Sequence, residues 1–161
     1  MKLRLSDFCY FFKSRKAGKV FLVFVVLCFL NPSIVLGLPQ GGQIESGAAD
    51  FNSPDTNTLN ITTSDQVIIN WQSFDIAGHE TVNFIQPSVS SFALNRVLGG
   101  GATNIAGALN ANGGVIIVNP AGVNFAPTAQ VQVASLIASS LNIQSSDFLA
   151  AQYHFARAGD E

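Results

Sequence analysis

The sequence predicts an all-β domain behind an export segment, and three observations carry that expectation. Short β-branched and apolar runs recur from Thr58 to Ile143, each closed off by Gly, Asn, Pro or Ser. Only SSDFLAA (145–151) has helical text, a Ser ahead of Asp and an apolar pair. A basic head with one unbroken apolar run precedes all of this. All-β text leaves sandwich, barrel and solenoid, and composition alone leaves sandwich and solenoid both open.

The head comes first. Lys2, Arg4, Lys13, Arg15, Lys16 and Lys19 lead into VFLVFVVLCFL (20–30), an apolar run of eleven residues. That suits the core of a helical signal peptide and falls short of the ~20 residues that span a bilayer. Asn31-Pro32 breaks the run, and VLG (35–37) offers a small residue before the scissile bond, so cleavage is expected between Gly37 and Leu38. The expected division is a Sec-type signal peptide over 1–37 and one domain over 38–161. Both cysteines, Cys9 and Cys28, fall in the head. A cysteine-free body is compatible with crossing a second membrane as an unfolded thread.

After Gly37 there are two cations, Arg96 and Arg157, against nine carboxylates, a net of −7. Phosphate-backbone binding draws its affinity from Lys and Arg, so no nucleic-acid partner is expected.

The body then reads as follows. Residues 38–55 are rich in Gly, Gln and Ser and read as irregular, with one short strand around 43–45. TLNIT (58–62) alternates; QVIINW (66–71) is β-branched; TVNFIQ (81–86) alternates again. SFALNRV (91–97), IAGAL (105–109), VIIV (115–118), VNF (123–125), QVQVA (130–134) and LNI (141–143) complete the strands. Asn112-Gly113 has the chemistry of a two-residue hairpin turn. Asn119-Pro120-Ala121-Gly122 reads as a rigid bend: Pro fixes its own φ and holds Asn119 extended, and Gly122 tolerates positive φ.

Candidate chemistry is sparse. Trp71, Phe74 and Phe84 suit a core better than a stacking platform. Asp75, His79 and Glu80 form DIAGHE, which has no metal-ligand spacing, and His154 is remote in sequence; solvated loop positions are expected for all four. Asp50, Asp55 and Asp65 raise the idea of a Ca²⁺-dependent polysaccharide lyase. That chemistry wants a cationic base or oxyanion partner, and the body has no Lys. No metal, no cofactor and no enzyme is expected. Arg96, the lone cation between 38 and 149, reads as a surface side chain bonded to backbone carbonyls.

VIINWQSFDIAGHETVNFIQPSVSSFALNRVLGG (67–100) and IAGALNANGGVIIVNPAGVNFAPTAQVQVASLIASSLNIQSSDFLA (105–150) resemble the N-terminal secretion domain of two-partner secretion exoproteins, the filamentous-haemagglutinin and high-molecular-weight adhesin group. The opening LPQGGQIESGAADF (38–51) is similar to that family's start. The resemblance implies a right-handed parallel β-helix with extra-helical strands near its N-terminus. It implies Sec export, then recognition by the periplasmic POTRA domains and barrel of a dedicated outer-membrane transporter. The location implied is secreted or at the surface of a Gram-negative-type bacterium, reached through the periplasm. It marks Asn95, Arg96 and Val97, and Asn119, Pro120 and Gly122, as transporter-recognition or fold-critical. Ala121 stands where the family corner has a second Asn. Such exoproteins run on into long repeats, so 38–161 is expected to be a secretion domain truncated on its C-terminal side. The full product would be an adhesin reaching host receptors or glycans through that further part. The alternative is a self-sufficient surface adhesin or a carbohydrate-active β-helix enzyme.

Overall fold

The computed structural model describes residues 37–157. The signal peptide expected before Gly37 lies outside the described residues. Strands dominate, in the order β1 Gln43–Ser46, β2 Ala49–Asp55, β3 Thr58–Thr63, β4 Val67–Trp71, β5 Thr81–Ile85, β6 Phe92–Val97, β7 Thr103–Ile105, β8 Ala108–Ala111, β9 Gly114–Val118, β10 Val123–Phe125, β11 Gln130–Gln132, β12 Ser135–Ser139 and β13 Asn142–Ile143. One helix, α1 Ser145–Leu149, and a last strand, β14 Phe155–Ala156, follow.

The strands wind into a right-handed parallel β-helix of about four turns. Its first face is a five-stranded sheet in the order β1-β4-β6-β9-β12, its second a five-stranded sheet in the order β11-β8-β5-β3-β2. The third is narrower: β7 pairs with β10, and Ile76 bridges to Ile105. Pairing between coils is parallel and unslipped: Val67 to Ala93 to Val115, and Leu59 to Val82 to Leu109. At the start the direction reverses. β1 lies antiparallel to β4 and β2 antiparallel to β3, each with a register shift, so both long sheets open on an extra-helical strand.

Alternation sorts each strand between two environments. Leu59, Ile61, Val67, Ile69, Trp71, Phe74, Val82, Phe84, Val97, Leu109, Val115 and Ile117 fill the interior. Trp71 meets Phe51 and Phe74 edge-on, at ring-centre distances of 5.4 and 5.6 Å. The aromatic residues read from sequence as core are therefore core. A fully buried Ile or Leu contributes on the order of 1.5–3 kcal/mol relative to exposure. Part of the outward side of the first face is apolar too. Ile68, Leu94, Ile116 and Val118 form a second cluster, closed by Ile143 and Phe148. β9 is thus buried on both sides, which is why its text is an unbroken GVIIV.

Four sequence expectations change. Residues 49–55 form a strand rather than irregular chain. Its Asn, Ser and Pro text is poor strand text, but pairing with β3 at a sheet edge tolerates it, Pro54 included. Asn112-Gly113 is not a hairpin turn: it joins β8 to β9, which belong to different faces. IAGAL splits at Ala106-Gly107, where the chain turns between β7 and β8. SLIAS (135–139) is a strand that its small residues concealed, held in register against the whole of β9.

Candidate functional site

The Asn-Arg-Val and Asn-Pro-Ala-Gly segments lie on neighbouring coils of the first face. β6 carries the first, and the second turns the chain out of β9. Asn95 points inward and is fully buried. Its Oδ1 accepts the Trp71 indole N–H at 3.0 Å, and its Nδ2 donates to the carbonyls of Ala93 and Ile116, both at 3.3 Å. An amide is therefore satisfied inside an apolar column and ties three successive coils together. Val97 also faces the core.

Asn119 is likewise fully buried. Its Oδ1 accepts the Ala121 N–H at 2.9 Å, and its own carbonyl accepts the Gly122 N–H at 2.9 Å. Its Nδ2 donates to Gly101 O at 3.0 Å and Thr103 Oγ1 at 2.9 Å, fastening this corner to the one before it. The Asn119 N–H donates to Ser139 O of the next coil. Gly122 has φ +104°, a conformation that strains any L side chain. The corner's self-bonding amide thus belongs to Asn119, and the exposed Ala121 leaves the geometry in place. Pro120 is exposed on the same bend.

Arg96 points outward. Its Nη1 meets Glu45 Oε2 at 2.8 Å, and its Nη2 donates to Ile143 O at 2.7 Å and Ser145 Oγ at 3.3 Å. Glu45 also accepts Asn70 Nδ2 at 2.8 Å and the Ser145 hydroxyl. Partial burial pushes the Glu45 carboxyl up. The hydrogen bonds from Ser145 and Asn70 and the charge of Arg96 outweigh it and hold the group below the usual carboxylate range. Sequence reasoning foresaw the carbonyl bond of Arg96 but missed Glu45, Asn70 and Ser145. No local pattern links positions a hundred residues apart in the chain.

The remaining candidates do not converge. Asp75 accepts the Asn104 N–H, Asp55 the Asn57 N–H, and Asp65 those of Gln66 and Phe92; Asp50 is exposed. His79 is exposed, and His154 Nδ1 lies 3.6 Å from Asp147. Glu80 departs from the expected solvated loop: it is buried, and its Oε2 accepts the Ala77 N–H at 2.7 Å. No group of three or more His, Cys, Asp or Glu suited to a metal occurs among the described residues.

A parallel β-helix opened by antiparallel strands, with buried Asn residues linking its coils, defines a capped β-solenoid. The chain belongs to the TPS secretion domain family, which matches residues 37–160. This is a family of secretion domains rather than of enzymes. The chain is similar to the crystal structure of the HMW1 secretion domain from Haemophilus influenzae, with a TM-score of 0.73 and 31% identity over 76% of this chain and 33% of that one. It is 37% identical over 107 residues to a heme/hemopexin-binding protein of H. influenzae strain Rd, covering 66% of this chain and 12% of that protein. A second H. influenzae heme/hemopexin-binding protein is 36% identical over 131 residues, covering 70% of this chain and 14% of that protein.

Proposed function

We propose that this domain is the targeting segment of an exoprotein, read by the POTRA domains of a cognate outer-membrane transporter and folding into its first coils outside the cell. Residues 1–37 act as the Sec signal peptide, cleaved between Gly37 and Leu38. The full product is an adhesin, secreted or held at the surface of a Gram-negative-type bacterium. The observation that carries this reading is the family match across the whole described solenoid. Among the described residues no strand pairs with the outer edges of β1 and β2, which supports it, since an extended strand from a partner can add to such an edge. Asn95, Val97, Asn119 and Gly122 act through the fold that secretion requires, and Arg96 through the bonds it makes across the first face.

The test is a reporter fused after Glu161 and expressed with and without the cognate transporter. Reporter in the medium only when the transporter is present is expected. Release without it, or retention with it, contradicts the reading.

A further inference from the structure

Asn112-Gly113 is the one Asn-Gly step in the sequence. That step is the dipeptide most open to deamidation, because glycine leaves the following nitrogen unhindered. The fold requires both residues. Residue 113 has no room for a side chain: a Cβ there would lie 2.6 Å from Ser91 O and 2.7 Å from Gln86 Oε1. Residue 112 has to serve the main chain of the preceding coil as donor and acceptor at once. Its Oδ1 accepts the Gln86 N–H at 2.7 Å, and its Nδ2 donates to Gln86 O at 2.7 Å. A reactive step therefore sits where the stack cannot do without it.

The same bonds hold the reaction off. Deamidation needs the Gly113 nitrogen to attack Asn112 Cγ. In the fold, the Gly113 N–H donates to the buried Gln86 Oε1 at 3.0 Å. Gln86 Nε2 is fixed in turn by the carbonyls of Ser91 at 3.1 Å and Gly114 at 3.0 Å. The Asn112 amide would have to leave both of its bonds to Gln86 before it could meet its own following nitrogen. Asn112 is exposed to water, so hydrogen bonding rather than burial gives the protection.

We propose that Asn112 is a deamidation site that is open in the unfolded chain and closed by the stacked coils, and that its conversion stops an aged chain from completing this coil. A N–Cγ bond forms and the Cγ–Nδ2 bond breaks. Ammonia leaves with the proton of the Gly113 nitrogen, and water opens the cyclic imide to aspartate or isoaspartate. Aspartate has no N–H for Gln86 O and sets a carboxylate oxygen against it. Isoaspartate lengthens the backbone by one methylene between β8 and β9, whose pairings with β5 and β6 allow no slip. The proposal compares folded with unfolded chain, so it stands apart from the reading of the domain as a transporter target.

The full chain, held at mildly alkaline pH either folded or in guanidinium chloride, tests it, with residue 112 followed by peptide mapping and mass spectrometry. Conversion is expected to be roughly tenfold or more faster in denaturant, because the folded chain reacts only through its opened fraction. Gly113→Ala, compared in denaturant alone, slows it by crowding the nitrogen. Aged wild type is then returned to buffer and its protease-resistant fraction separated. That fraction is expected to retain Asn112, and the sensitive fraction to carry aspartate and isoaspartate. Equal rates in the two states, no conversion in denaturant, no slowing in Gly113→Ala, or converted chains that refold as fully as unconverted ones would each overturn the proposal.

Discussion

At the scale of single residues, the two buried asparagines have the largest consequences. Asn119→Ala removes the acceptor of the Ala121 N–H and both donations to the preceding corner. A cost of about 1–3 kcal/mol is expected in a denaturant titration, because buried partners are left unpaired. Ala121→Asn restores the residue of the family corner, yet should change stability by less than about 0.5 kcal/mol, since position 121 is exposed and Asn119 already supplies the bond. Glu45 gives a pH signature. Its carboxyl is held low in the folded chain, so its contribution is present above the unfolded value and is lost as pH falls through the folded one. Acidification through the carboxylate range should therefore weaken wild type, and a thermal melt against pH should flatten there in Glu45→Gln. Asn95, Arg96, Asn119 and Gly122 could be picked out from the sequence as motif residues. Glu45 could not, because its partners are set by a return of the chain that no local pattern encodes.

At the scale of elements, register is what the residues specify. On the outer side of the second face, Asn83 donates to Asn60 at 2.8 Å and Asn110 donates to Asn83 at 2.9 Å, a ladder of amides one coil apart. Asn83→Ala interrupts it at the centre, with an expected loss of about 1–2 kcal/mol in a denaturant titration, water offsetting part of the cost at this half-buried site. Gly114 is constrained differently: a Cβ there would strike the ring of Phe92. Gly114→Val should destabilise the fold by about 1–3 kcal/mol through overpacking and should pull Phe92 away from Tyr153. Strands rich in β-branched residues, β4 and β9 above all, were legible in the text. β2 and β12 were not, because their Asn, Ser and Ala residues become strand only by pairing with β3 and β9. The repeat itself was hidden for a related reason. Connections between the second and first faces run from Asn112-Gly113 in one coil to residues 86–91 in another, so equal coils carry unequal text.

At the scale of the whole molecule, the acidic, cysteine-free body and its Gly- and Asn-lined corners were readable, and they exclude functions more readily than they assign one. The handed stack followed from the resemblance rather than from composition, since sandwich and solenoid share the same short strands. A solenoid built coil upon coil suits a chain that emerges progressively from a pore, each turn docking on the one already formed. That account needs the coils to be parallel and in register, with antiparallel pairing confined to the strands that open the sheets and to β13 and β14. Cross-strand NMR contacts test this most directly, because close Hα–Hα pairs mark antiparallel strands. They are expected between β1 and β4, β2 and β3, and β13 and β14, and should not occur between β3 and β5, β4 and β6, or β6 and β9. Close Hα–Hα pairs among those coil strands would mean hairpins instead of a spiral and would contradict the account.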